Sequence, residues 1–427
     1  MTLSWLQIAR LGLVQMALGA VVVLTTSTLN RLMVVEFALP AVLPGMLVAL
    51  HYGIQLSRPR WGFTSDTGGN RTTWIIGGMV ALAMGGFIAT YAVILFAASY
   101  WLGLLLSVFA YALIGLGVGA SGTSLLALLA TATAPHRRAA AATITWLMMI
   151  FGIAMTAGIA GSFLAPYSPA RLLTVVTVVV TLALALTILA VAGIERRVTA
   201  TPEPDTMPFM EGLKEVWSER RTRDFTLFVF LSMNAYFMQE LILEPFAGLV
   251  WGFTPGQSTS LSGAQNGGVF VGMLTVGIMA TGLKIGSLRN WILGGCIGSA
   301  ISLCAIAWGG LTLPAMGLTV LVVSLGVFNG MFAVAAIGSM MALAAAGRGQ
   351  REGTRMGLWG AAQAIAAGFG GLLGAAAVDL LRGPLADAPA FAAVFVFEAA
   401  LFVAAALMAM HIMDNTRSAS AALVPGE

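Results

Sequence analysis

The sequence predicts an all-α polytopic membrane protein, with twelve transmembrane helices in two six-helix halves. Three observations carry this prediction. Only 9% of the 427 residues are charged and 59% are hydrophobic, whereas soluble domains hold roughly 25% charged residues. The apolar runs are continuous and about 20 residues long, as an α-helix needs to cross a bilayer; barrel strands would alternate apolar and polar residues. The runs also divide six and six around one long polar segment, ERRVTATPEPDTMPFMEGLKEVWSERRTRDF, the layout of a duplicated transporter fold.

The expected spans of the first half are 9–33, 41–58, 73–95, 101–131, 140–164 and 171–194. Those of the second are 225–244, 264–283, 290–310, 314–345, 354–379 and 390–412. The chain thus divides into an N-terminal bundle (1–194), a linker (195–224), a C-terminal bundle (225–412) and a short tail (413–427). Arg10 alone precedes the first run and no small-residue cleavage site follows, so that run is expected to be a retained helix. In the linker, Phe209 or Met210, Leu213, Val216 and Trp217 form one helical stripe after the start signals Asp205, Thr206 and Pro208. That pattern predicts an amphipathic helix on the membrane surface. Cys296 and Cys304 share a span and are separated by about 12 Å of helical rise, which predicts two free thiols.

With the N-terminus cytoplasmic, 18 of the 21 Lys and Arg fall on the cytoplasmic side, leaving Arg31, Arg171 and Arg382 outside. The positive-inside rule therefore places both termini in the cytoplasm. The formal charge of +4 reflects this topology and gives no reason to expect nucleic acid. The halves echo each other: WIIGGM at Trp74 and WILGGC at Trp291 open the third and ninth spans. MVVE, ending at Glu36, and LILE, ending at Glu244, close the first and seventh.

Few ionisable or strongly polar groups fall within the spans: Gln15, His51, Asn234, Glu398 and amides such as Asn329 and Gln363. Glu398, eight residues into the last span, is a possible protonation site. No nucleophile–base pair, phosphate loop or metal cluster is visible, so an enzyme is not expected.

The loop WGFTSDTGGNRTTW carries Gly62, Asp66, Gly69 and Arg71 in the G-x-x-x-D-x-x-G-x-[RK] spacing. It resembles the signature loop of the major facilitator superfamily. Where the superfamily usually has further basic residues, this chain has Thr67 and Asn70, and the second-half loop has Leu283 where the acid would fall. Two longer stretches, RLGLVQMALGAVVVLTTSTLNRLMVVEFALPAVLPGMLVALHYGIQLSRPRWGFTSD and EVWSERRTRDFTLFVFLSMNAYFMQELILEPFAGLVWG, resemble the PucC/LhaA family, a branch of that superfamily in phototrophic bacteria.

The resemblance implies a bacterial inner or intracytoplasmic photosynthetic membrane. It also implies a (bacterio)chlorophyll-binding carrier or assembly factor serving light-harvesting or reaction-centre subunits. The ligand would be (bacterio)chlorophyll or a late precursor, with carotenoid or lipid as further possibilities. Bacteriochlorophyll synthase is an implied partner, alongside membrane lipids. Two rivals stay open: a secondary transporter of a small apolar solute using Glu398, and a scaffold for the pigment-synthesis enzyme. On the pigment reading, His51 near mid-membrane is a candidate axial ligand for chlorophyll magnesium, although Leu47 four residues earlier would crowd a macrocycle. Asn234, Gln239, Glu240 and Glu244 are candidate pigment contacts, as are Arg31 and Glu36 in the first half. The alternative for Gln239, Glu240, Glu244, Arg31 and Glu36 is a polar cap at the outer interface, where Pro245 ends the helix and the carboxylates need not be buried at mid-bilayer.

Overall fold

A computed structural model of the chain describes residues 3–56, 71–134, 137–194, 217–283, 285–312, 317–346 and 352–421. Twelve helical rods run through them. The first half contains α1 (Trp5–Glu36), α2 (Val42–Gln55), α3 (Arg71–Leu95), α4 (Tyr100–Ala132), α5 (Arg138–Phe163) and α6 (Pro169–Val191). The second contains α7 (Arg220–Leu249), α8 (Pro255–Val276, prolonged by a π-helical turn, Gly277–Gly282) and α9 (Leu288–Thr312). It is completed by α10 (Leu318–Ala346), α11 (Glu352–Arg382) and α12 (Asp387–Ala421). Among the described residues ten rods are long and apolar enough to span a membrane, and α2 and α8 complete the twelve. Gly62, Asp66, Gly69 and most of the linker helix lie outside the described residues; Arg71 begins α3 and is buried.

Local chemistry sets the helix starts. Ser4 with Gln7, and Thr254 with Gln257, form capping boxes, and Pro255 and Pro169 stand in first turns, where their missing N–H costs nothing. Each half buries its own apolar core. Arg10 donates to the carbonyls of Leu189 and Ala192 at the end of α6, tying the chain start to its own half. Cys296 and Cys304 are free thiols, as expected.

The halves meet along α2 against α11 and α5 against α8. At the second contact the backbones nearly touch. A Cβ at Gly161 would lie 2.5 Å from the Ser260 nitrogen, and one at Gly263 would lie 2.5 Å from the Gly158 nitrogen. Only glycine permits that approach.

Three expectations need correction. The seventh span does not stop before Pro245: α7 runs on to Leu249 with the proline inside it. The eighth begins at Pro255, not 264, because the polar run PGQSTSLSGAQN is capped as a helix and turns its hydroxyls toward the other half. The Arg31 guanidinium is not part of an exposed polar cap; the residue is 2% exposed, enclosed between the halves.

Candidate functional site between the halves

The sequence STLNR near the end of α1 places Ser27, Thr28, Asn30 and Arg31 on a stretch flanked by two π-helical turns, Leu24–Thr28 and Leu32–Glu36. A π-turn widens the helix and frees a carbonyl. Here the Tyr111 hydroxyl donates to the Thr25 carbonyl at 2.6 Å. The four polar residues all reach across the seam or toward it. Ser27 Oγ lies 3.0 Å from Ser262 Oγ, and Thr28 Oγ1 lies 3.0 Å from Thr259 Oγ1. Asn30 Nδ2 donates to the Leu241 carbonyl at 2.6 Å, and Arg31 Nη2 donates to the Phe253 carbonyl at 2.8 Å.

The Asn30 bond explains how Pro245 is accommodated. A proline inside a helix has no N–H for the carbonyl four residues back, and that carbonyl belongs to Leu241. Asn30 of the opposite half supplies the missing donor. In a membrane, with no water to do so, such a replacement is required.

Arg31 pairs with Glu36 at 2.5 Å. Gly248 makes room for it, since a Cβ there would lie 3.3 Å from Arg31 Nη2 and 2.9 Å from a Val35 methyl. Glu244, one turn before Gly248, lies in the field of Arg31 and beside the hydroxyls of Ser27, Ser258 and Ser262. It is 1% exposed, and neither carboxylate oxygen completes a well-formed hydrogen bond. Glu244 is thus enclosed by protein and not set in an exposed polar cap: its burial comes from the opposing half, which hydropathy does not show. The two acids that close the sequence echo, Glu36 and Glu244, converge on one arginine. In the loop after α5, burial and the Glu36 carboxylate push the Tyr167 phenol up, and Arg31 partly offsets them.

A further cross-half tie was not anticipated from the sequence. The Asp379 carboxylate of α11 accepts from the backbone N–H groups of Ala41 and Val42, at 2.9 and 2.6 Å. Ala41 offers no side-chain cap to α2, so an acid from the other half caps it, favoured by the helix dipole. Its only trace in the sequence is an acid three residues before Arg382 at a span end.

The remaining candidates separate. Asn234 faces into the second half: its Oδ1 would lie 3.0 Å from a Cβ at Gly370, and Nδ2 bonds back to the Phe230 carbonyl. Gln239 is 1% exposed and both of its side-chain polar atoms are unpartnered. It lies on the α7 face that carries Phe246, whose ring packs on Phe391 and Phe395 of antiparallel α12. Seven residues back from Phe246 is Gln239 and seven forward from Phe391 is Glu398, so both occupy one depth of that pair. Glu398 is fully buried with neither oxygen hydrogen-bonded. His51 is buried on α2 with Nε2 taken up by Gln55 Nε2 at 2.8 Å. Glu240, by contrast, is only partly buried. One turn before it Tyr236 stands edge-on to Phe237 (5.2 Å), which in turn meets Tyr52 of the first half (6.0 Å).

Comparison with known proteins agrees with this architecture. The solved structure of a bacterial homolog of the human lysosomal transporter Spinster, inward-facing and occupied, matches with a TM-score of 0.70 at 14% identity, covering 96% of this chain and 97% of that one. The nucleoside transporter NupG also matches at 0.70 and 14%, covering 96% of this chain and 98% of its own. These likenesses show the major facilitator fold. By sequence, the Bacteriochlorophyll synthase 44.5 kDa chain of Rhodobacter capsulatus is 66% identical over 97% of this chain and 96% of its own length. Protein PucC of Cereibacter sphaeroides is 30% identical over 97% and 93%. The family described as PUCC protein matches residues 28–417, and the chain belongs to that family.

Proposed function

We propose that this photosynthesis-related membrane protein carries (bacterio)chlorophyll, or a late precursor, and hands it to light-harvesting or reaction-centre subunits during their assembly. The single observation that carries the reading is the family match over nearly the whole chain, joined to relatives whose names speak of bacteriochlorophyll and PucC. The geometry suits it. Tyr52, Tyr236 and Phe237 bring aromatic rings from both halves to one place, and a planar conjugated macrocycle stacks on such rings. Glu240 stands one turn from Tyr236. Its carboxylate offers the hard oxygen that magnesium accepts, and the phenol can donate to a ring carbonyl. Gln239 of α7 and Glu398 of α12, buried with open polar atoms, would be reached only if the two helices part. On this reading the protein catalyses nothing itself and works in the bacterial inner or photosynthetic membrane with its termini in the cytoplasm.

A second reading is favoured by the 66% identical relative, whose name makes it a chain of bacteriochlorophyll synthase. Here the protein holds the synthesis enzyme beside the site of assembly. A host lacking the gene separates the two. Loss of antenna absorbance with accumulation of finished free pigment supports the carrier. Loss of pigment synthesis itself, with the precursor accumulating, supports the scaffold. Normal antenna and normal pigment would sink both.

A further inference from the structure

Among the described residues, the cluster around Arg31 has one negative charge over. Glu36 and Glu244 are carboxylates, and among the described residues Arg31 is the one cation beside them. The guanidinium is committed: Nη1 to Glu36, Nη2 to the Phe253 carbonyl, with Nε unpartnered. Arg31 thus makes its ion pair with Glu36, not with Glu244. Glu244 is left 1% exposed, and the serine hydroxyls beside it complete no well-formed hydrogen bond to either oxygen. A buried carboxylate without an ion pair of its own does not persist as a bare anion; it takes a proton or a compensating cation.

The surroundings supply oxygen ligands for one. Ser27 comes from α1, and Ser258 and Ser262 from α8. Ser258 donates its proton to the Pro255 carbonyl, which leaves its lone pairs free to accept. In the Ser27–Ser262 pair only one proton is used between the two oxygens. The other groups nearby do not compete. Glu240, a turn earlier on α7, stands beside Tyr236, and Tyr167 lies against Glu36 and Arg31. Asp379 is occupied by the start of α2. From the α8 face the hydroxyls of Ser258, Thr259 and Ser262 meet the site, and none of them carries a charge.

We propose that Glu244, with the Ser27, Ser258 and Ser262 hydroxyls, forms a binding site for one small monovalent cation, a proton or sodium, at the seam between the halves. The ligands come from both halves, so the bound cation holds this end closed. Its departure leaves a bare buried carboxylate that is relieved by water entering as the halves separate. The inference does not depend on the pigment reading.

The test uses the full-length protein in detergent or nanodiscs. Thermal unfolding is followed in sodium chloride and in choline chloride at equal ionic strength, and the infrared C=O band of carboxylic acids is followed across pH. Wild type, Glu244→Gln and, as a control, Glu398→Gln are compared. A sodium-specific rise in the unfolding midpoint, lost in Glu244→Gln and kept in Glu398→Gln, identifies sodium. A carboxylic band that disappears only in Glu244→Gln identifies a proton. Should Glu244→Gln fail to fold, Ser262→Ala serves instead: it is expected to weaken half-saturation by sodium about tenfold or to displace the band. Identical responses of wild type and the Glu244 or Ser262 variant to sodium and to pH would overturn the proposal.

Discussion

Asn30 shows how one residue sets a local structure that its own helix does not require. Its amide replaces the N–H that Pro245 lacks, at 2.6 Å from the Leu241 carbonyl. Asn30→Leu keeps the volume and removes the donor, leaving a buried carbonyl orphaned. The expected loss is about 1–3 kcal/mol of stability, read as a lower unfolding midpoint in detergent. Pro245→Ala restores the N–H, and the same Asn30→Leu change should then cost much less. An undiminished cost in that background would show that the bond has another purpose. Neither residue announces this partnership in the sequence: Pro245 reads as a helix stop, and only the residue across the seam reverses that reading. Glu244 was legible as an unusual acid at a span end, but its burial was not. Hydropathy measures a segment against lipid and water, not against another helix.

At the scale of the element, α1, α2 and α8 carry the seam. Polar residues at 255–266 lower the hydropathy of α8, so its start was read nine residues late, although Thr254, Pro255 and Gln257 spell a capping box in the sequence. The start of α2 is capped from α11. Asp379→Ala removes an acceptor from two backbone donors and is expected to cost about 1 kcal/mol, as a lost helix cap does. Its more specific readout is the distance between spin labels on α2 and α11 near this end, which should widen. The α5–α8 approach rests on absent side chains. Gly161→Leu forces a side chain against the Ser260 and Gly256 backbones and should lower the unfolding midpoint by several degrees, as a loss of about 1–3 kcal/mol from overpacking does. Leucine at Gly158, where a Cβ meets nothing within 4 Å, provides the tolerant neighbour for comparison.

In the whole molecule, the twelve-helix, two-half plan was legible because lipid imposes it on composition: apolar runs of a fixed length, and one polar linker. What was not legible is how the halves meet. The described cross-half side-chain hydrogen bonds, from Ser27, Thr28, Asn30, Arg31 and Asp379, all lie at the end of the molecule opposite the termini. The candidate pigment contacts dispersed for the same reason. Gln239 and Asn234 turn into the second half, while Glu240 with Tyr236, Phe237 and Tyr52 stays at the seam. The proposed pigment carriage therefore rests on Glu240 and the aromatic group. Glu240→Ala is expected to lower bound pigment severalfold while leaving the fold intact. The most direct measurement is the absorption spectrum of the protein purified in mild detergent from a pigment-making host, with pigment and protein quantified together. The account predicts a red or near-infrared chlorophyll band at a fixed whole-number ratio, reduced in Glu240→Ala. A folded, colourless protein, or a band whose ratio falls steadily with washing, would contradict it.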